Sequence, residues 1–277
     1  MAMLHAHGCE LEYEWVGERV PGRPTLVFLH QGLGSVELWR GFPAKLAEAT
    51  GCPAFVYSRE GHAGSDTCSW PRPIDFMQIE GRDRLPQVLA AAGIDDLILV
   101  GHSDGGTIAL VYAAEVKTGL RGVIAEAPHV FAEPVTLDQV RRTRAAYETG
   151  ATDGTDGTEN ETSNETGGTP GLRDALKRYH GANVDSAFYG WAASWLQPGF
   201  ETFSIEDMIP NIEVPVLAIL GSQDDYGTTA QLDRLRERAR CPLEISSPEC
   251  GHAPHEELEP EMLALMADFV ARLQAPV

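Results

Sequence analysis

Ser103 has the setting in this chain that points most directly to chemistry. It lies in Gly101-His102-Ser103-Asp104-Gly105, a G-x-S-x-G pattern followed by a further glycine, Gly106. The apolar run Leu97-Ile98-Leu99-Val100 precedes it, and Thr107 to Ala114 follow with apolar residues at helical spacing. This order predicts a strand, a tight turn and a helix, with the serine at the turn. A turn of that kind strains the serine backbone and crowds its neighbours, so glycines are needed where a Cβ would collide. The hydroxyl would stand above the strand end, at the positive end of a helix. A serine hydroxyl is a weak nucleophile until a base takes its proton, and the base needs a third group to hold it.

Candidates for both partners come later in the chain. The predicted strand Val214–Leu220 is followed by Gly221-Ser222-Gln223-Asp224-Asp225-Tyr226-Gly227. A short strand at 243–246 is followed by Glu249-Cys250-Gly251-His252-Ala253-Pro254-His255-Glu256. A carboxylate just past a strand end can reach a site at the rim of a sheet. Asp224, Asp225 and Glu126 compete for the acid, and His252 and His255 for the base. Two polar loops also follow predicted strands: His30-Gln31-Gly32-Leu33-Gly34-Ser35 and Ser58-Arg59-Glu60-Gly61-His62-Ala63-Gly64-Ser65-Asp66.

The elements that must position these residues alternate. Residues 7–20 hold one or two edge strands, and Thr25–Leu29 is a buried strand. A helix is expected over Val36–Thr50, a strand over Ala54–Tyr57, a helix over Gln78–Ala92, and strands at Leu97–Val100 and Arg121–Glu126. Strand–helix alternation repeated in this way predicts a mostly parallel, doubly wound α/β sheet. The alternation breaks after Ala127-Pro128-His129. Helices are expected at 131–149 and 171–197, the second region rich in Phe188, Tyr189, Trp191 and Trp195. Between them, 150–170 is low-complexity Thr, Gly, Asp and Glu, expected to be a loosely held surface loop. The alternation resumes with Val214–Leu220, Thr228–Ala239, the 243–246 strand and a last helix over Glu256–Leu273. The domain reading is a core of 1–130 and 209–277, with 131–208 inserted as a helical cap over the strand ends.

Five blocks, in this order and spacing, resemble the α/β-hydrolase fold family, within it the capped serine esterases and carbon–carbon bond hydrolases. They are 29–35, 57–65, 101–106, 221–224 and Gly251-His252, and the resemblance covers almost the whole chain apart from 150–170. It implies that Ser103 is the nucleophile, His252 the general base and Asp224 the orienting acid, which sits at the family's G-x-x-D spacing from Gly221. Asp225 is one position off and is expected to be a solvated or pocket carboxylate. His255 is expected to be a capping or surface histidine. Glu126 stays open as a second acid, because some members carry the acid after that strand. The resemblance places the oxyanion donors at the N–H of Asp104 and in the loop after the 25–29 strand. Gly32 is the first choice there and Leu33 the alternative, because His30-Gln31-Gly32 departs from the family's His-Gly. His30 is expected to pack behind that loop. Leu33, Trp191 and Trp195 are the candidate substrate-pocket residues, although the tryptophans equally suit packing of a cap helix.

The expected activity is hydrolysis of a small or medium carboxylic ester through an acyl-enzyme. The alternative is cleavage of a carbon–carbon bond in a ring-cleavage keto acid, which would want a cation for the substrate carboxylate, from Arg59 or from Arg141, Arg142 and Arg144, although such arginines are more often surface residues balancing the acidic shell. A hydrolase-fold protein that binds a small ligand without turnover is the third reading. Nothing in the sequence suggests a metal or organic cofactor. The 277 residues carry a formal charge of -20, with lysine only at 45, 117 and 177. That balance argues against nucleic acid and anionic membrane as partners, leaving a small-molecule substrate, and is compatible with a homo-oligomer. It also suggests a salt-loving source, since such a surface repels itself at low salt. The five cysteines are scattered without a C-x-x-C, and no apolar leader or span is evident, so a cytoplasmic setting is expected. The N-x-T triplets at Asn160 and Asn164 are read as compositional.

Overall fold

Runs such as Thr25–Leu29 and Leu97–Val100 have no polar alternation, as strands covered on both faces require. In a computed structural model, which describes residues 1–150 and 171–274, they lie at the centre of one sheet. Most of the acidic stretch that the sequence sets apart, 151–170, is outside the described residues. The strands are β1 (Ala2–Ala6), β2 (Cys9–Val16), β3 (Thr25–Leu29), β4 (Ala54–Tyr57), β5 (Leu97–His102), β6 (Leu120–Glu126), β7 (Val216–Ile219) and β8 (Leu243–Ser246). Their order in the sheet is β1-β2-β4-β3-β5-β6-β7-β8. Only the β1–β2 and β2–β4 pairs are antiparallel. The helices are α1 (Phe42–Thr50), α2 (Phe76–Ile79), α3 (Leu85–Ala92), α4 (Asp104–Glu115), α5 (Pro134–Thr149), α6 (Leu172–His180), α7 (Val184–Trp195), α8 (Ala230–Arg238), α9 (Pro254–Glu257) and α10 (Glu259–Gln274).

Alternate strand residues feed two cores. Val27, Leu29, Leu97, Leu99, Val123 and Ala125 face one layer, which includes α3 and α4. Leu26, Phe28, Ile98, Val100 and Ile124 face the other, which includes α1 and α10. The period of two, set by the pleat, is thus hidden inside runs that are apolar throughout.

Three expected helices are interrupted. The helix expected over 36–50 breaks at Arg40 and Gly41, whose φ angles are 48° and 82°. The one expected over 78–92 starts at Phe76 and contains a π-turn at Glu80–Arg84. There Gly81 lies against the Ile108 carbonyl, and a Cβ would collide with α4. The last helix is divided at Leu258 into α9 and α10. The first of these breaks could be suspected from Gly41; the other two follow from packing that no local pattern shows.

Helices α5, α6 and α7 fall between β6 and β7 in the chain and touch the loops at the carboxyl ends of the strands. His180 on α6 donates from Nε2 to the Leu33 carbonyl (2.9 Å) and accepts the Ala63 N–H on Nδ1 (3.1 Å). On α7, Ser194 Oγ accepts the Arg72 N–H (2.8 Å). No helix among the described residues is long and apolar enough to cross a membrane.

Candidate active site

Strand β5 ends at His102 and α4 begins at Asp104, so Ser103 makes the turn alone, at φ 55° and ψ −118°. Such a backbone costs a non-glycine residue about 1–3 kcal/mol and persists only where its surroundings impose it. Here the Ser103 N–H donates to the Glu126 carbonyl at the end of β6 (2.8 Å). The pattern glycines are both required by close approach. A Cβ on Gly101 would overlap the Gly105 carbonyl, and one on Gly105 would overlap the Leu29 carbonyl at the end of β3.

The register brings the strand ends level. Leu29 pairs with Gly101, His102 with Glu126, Glu126 with Ile219, and Ile219 with Ser246. The loops after β3, β5, β6, β7 and β8 therefore leave the sheet at one edge, where open α/β sheets hold their ligands. The last two loops deliver the expected pair. Ser103 Oγ–H donates to His252 Nε2 (3.0 Å), and His252 Nδ1–H donates to Asp224 Oδ2 (2.8 Å). Asp224 Oδ1 accepts the N–H groups of Tyr226 (2.7 Å) and Gly227 (3.2 Å). The Asp224 side chain is fully buried, and His252 is held from behind by His102, whose Nε2 donates to the His252 carbonyl (2.8 Å). Burial alone would raise the Asp224 pKa, but His252 and the Tyr226 N–H outweigh it and the carboxyl lies below its ordinary value. Burial alone would lower the His252 pKa, but the charge and hydrogen bond of Asp224 reverse the sign. Asp225 is exposed, as expected.

The loop after β3 has its carbonyls pulled to one side. Gln31 O accepts from His30 Nδ1 (2.6 Å) and Arg59 Nη2 (3.0 Å), Gly32 O from His62 Nε2 (2.9 Å), and Leu33 O from His180. In a trans peptide the next N–H points the opposite way, so the N–H groups of Gly32 and Leu33 face away from these donors. Asp104 N is an N-terminal amide of α4, free of an intrahelical acceptor. His30 and His62 are kept neutral, well below the ordinary histidine pKa, chiefly by burial and then by Arg59. His30 packs behind the loop, as its sequence position suggests.

Helix α7 brings both expected indoles over this edge. Trp191 lies on Gly32, where a Cβ would strike its ring, and Trp195 packs on His129 with ring centroids 5.0 Å apart. Both are buried, and Leu33 is half-buried beside them. The expected cations are placed elsewhere. Arg59 is buried and donates to the His30 and Gln31 carbonyls. Arg141 and Arg144 pair with Asp138 (2.6 Å) and Glu148 (2.8 Å) on the outer face of α5, and Arg142 is exposed.

Residues 24–258 match the alpha/beta hydrolase fold family. The chain belongs to that family. The chain is 32% identical over 127 residues to a 2-succinyl-6-hydroxy-2,4-cyclohexadiene-1-carboxylate synthase of Klebsiella pneumoniae, covering 44% of this chain and 45% of the relative. The matched part thus spans less than half the length of that relative. The structure is similar to an enol-lactonase from Burkholderia xenovorans LB400, with TM-score 0.71 and 18% identity over 97% of this chain and 99% of that one. It is also similar to a meta-cleavage product hydrolase from Pseudomonas fluorescens IP01, with TM-score 0.66 and 16% identity over 97% of each. At these identities the two structures establish the fold.

The protein carries a second buried histidine–carboxylate pair that the sequence did not announce. His255, expected as a capping or surface residue, is 3% exposed. Its N–H donates to Glu126 Oε1 (2.7 Å), and its Nδ1 lies 2.7 Å from Glu126 Oε2. Trp39 and Phe42 flank the ring at 5.0 and 5.4 Å. Glu126 is thereby engaged by His255, and the acid on His252 is Asp224. Groups of His102, Glu126 and His255 that are able to bind a metal lie within 4.8 Å of one another. The short Glu126–His255 contact and the His102 bond to the His252 carbonyl already occupy them, so the cluster reads as a brace for the 249–256 loop.

Burial works against charge on both partners, yet their mutual attraction leaves Glu126 below its ordinary pKa of 4.5 and His255 above 6.5. The Glu126 contribution to stability is complete above pH 4.5 and is lost as pH falls through its lowered value. That of His255 is complete below pH 6.5 and is lost as pH rises through its raised value. Between these limits both act. Glu126→Gln is therefore expected to cost about 3 kcal/mol within that window and clearly less in alkaline solution. Urea unfolding at the two pH values checks this, and an equal loss at both would refute the pairing.

His129 was missed. Its Nε2 is 3.5 Å from Ser103 Oγ, and burial, then His252, push its pKa down to about 3, so it is neutral. The available signal was its place in the loop after β6, just as Asp224 and His252 lie in the loops after β7 and β8.

Proposed function

We propose that the protein is a serine hydrolase that cleaves carboxylic esters of small or medium size through an acyl-enzyme at Ser103. The observation that carries this reading is the continuous hydrogen-bonded run from Ser103 Oγ through His252 to Asp224. His252 Nε2 takes the hydroxyl proton as Ser103 Oγ bonds to the ester carbon, and Asp224 holds the resulting imidazolium. The N–H of Asp104, with that of Gly32 or Leu33, takes the oxyanion. The imidazolium then gives its proton to the departing alkoxide. Water, deprotonated by His252, releases the acid and restores the hydroxyl. The reading includes the division into a 1–130 and 209–277 core and a 131–208 cap, whose Trp191 and Trp195 wall the pocket with Leu33. An intact Ser103–His252–Asp224 run weighs against a protein that only binds.

Carbon–carbon cleavage of a ring-cleavage keto acid is the second reading; a meta-cleavage product hydrolase is among the proteins that share the fold. The engagement of Arg59 by loop carbonyls and of Arg141 and Arg144 by surface carboxylates weighs against it. Hydrolysis of p-nitrophenyl esters of increasing acyl length decides between them. Turnover supports the esterase; a folded protein inert to all of them, yet active on a vinylogous keto acid, supports the other.

The charge of -20 extends the reading to a salt-rich cytoplasm. Screening of the acidic shell is expected to raise both Tm and ester turnover from low to molar KCl. A Tm that is flat or falling with KCl would remove the salt adaptation and leave the catalytic reading untouched.

A further inference from the structure

Asp104 Oδ1, His129 Nδ1 and Trp195 Nε1 are buried without a hydrogen-bond partner among the described residues, and they gather beside the nucleophile. Asp104 directly follows Ser103 and is 2% exposed. Its carboxylate forms no ion pair among the described residues. Arg59 and Arg72 act on it from a distance, but Arg59 is engaged by loop carbonyls and Arg72 by Glu80 (3.1 Å). The Trp195 indole N–H also favours the charged carboxyl, yet the two atoms do not reach hydrogen-bond geometry and both stay unpartnered. Trp195 in turn packs on His129, which stands 3.5 Å from Ser103 Oγ.

A buried carboxylate left unpaired is costly, and one beside a forming oxyanion also opposes the charge that develops there. A hydrogen-bond donor brought by the substrate relieves the first penalty and eases the second by spreading the carboxylate's charge. An ionised carboxylate only accepts, and an indole N–H only donates. One group that satisfies both is a hydroxyl, which donates to Asp104 while accepting from Trp195; an ammonium cannot accept. We propose that Asp104 is a specificity-determining residue, which together with Trp195 forms a polar subsite for a hydroxyl carried by the substrate next to the reacting carbonyl. Burial pushes the Asp104 carboxyl up to about 6, so at pH 8 it is mainly the accepting form. The inference deepens the esterase reading and rests on it.

The test compares kcat/KM at pH 8 for matched ester pairs. One pair is p-nitrophenyl butanoate and 3-hydroxybutanoate; in the other, ethyl and 2-hydroxyethyl butanoate, the hydroxyl is on the leaving side. The wild type is expected to favour the hydroxylated member of one pair by on the order of 10- to 100-fold. Asp104→Leu is expected to bring that ratio to about 1, and the near-isosteric Asp104→Asn to an intermediate value. The ratio is internal to each variant, and Asp104→Asn keeps the test alive if Asp104→Leu does not fold. No preference in either pair, a ratio unchanged in both variants, or a stronger preference for a β-alanine ester than for the hydroxy ester would overturn the subsite while the esterase stands. Failure of the wild type to turn over any ester, with no fluorophosphonate adduct on Ser103, would instead remove the esterase reading and the subsite with it.

Discussion

Ser103→Ala is expected to lower kcat for p-nitrophenyl butanoate by on the order of 10⁵- to 10⁶-fold, leaving KM within a few-fold of the wild type. The hydroxyl is the only group at the β5–α4 turn placed to bond with a carbonyl carbon, and no other side chain there inherits the role. His129 is close, but it is neutral, with its pKa at about 3, and its Nε2 faces Ser103 Oγ. Residual turnover should come only from the oxyanion donors and substrate binding. The fold should be unchanged, because the turn is held by backbone bonds and by the close packing of Gly101 and Gly105. Activity within tenfold of wild type would mean that the reaction centre lies elsewhere.

Asp224→Asn is expected to lower kcat by about 10⁴-fold, through loss of the correct imidazole tautomer and of the charge that stabilises the imidazolium. It should also move the pH profile in a definite direction. In the wild type His252 lies above its ordinary value because Asp224 outweighs burial, and only the neutral imidazole can act as base. Turnover should therefore rise with pH through a value above 6.5, the ordinary histidine pKa. Without the carboxylate, burial prevails and His252 falls, so the residual activity should rise at lower pH than in the wild type. An acid limb that stays in place in the variant would show that another group sets it, with Glu126 the first to suspect.

What could be read in the sequence is what the backbone imposes locally. The elbow glycines were legible because no other residue fits against the Gly105 and Leu29 carbonyls. Asp224 and His252 were legible because each closes the turn after a strand, which is where a chain must deliver residues to the edge of a parallel sheet. The Glu126–His255 pair was not, because it depends on the register of β6 beside β5 and on how the 249–256 loop folds back across the sheet. Glu126 and His255 are 129 positions apart, and nothing near either one names the other. Arg59 was misread for a related reason. In the sequence it is a loop arginine between serine and glutamate; in the fold it is buried, with its guanidinium on the His30 and Gln31 carbonyls. The Asp104 side chain was passed over because its backbone N–H already had a role. That the carboxylate lacks a partner is visible only once the three-dimensional neighbourhood is known.

An activated Ser103 hydroxyl would react covalently with an electrophilic phosphorus, and that reaction can be read directly. The intact protein is treated with a fluorophosphonate probe, with and without Asp224→Asn, and the adduct is mapped by peptide mass. A single adduct on Ser103 is expected, formed rapidly in the wild type and far more slowly in the variant. A folded wild type that takes no label, or takes it on another residue, would contradict the account.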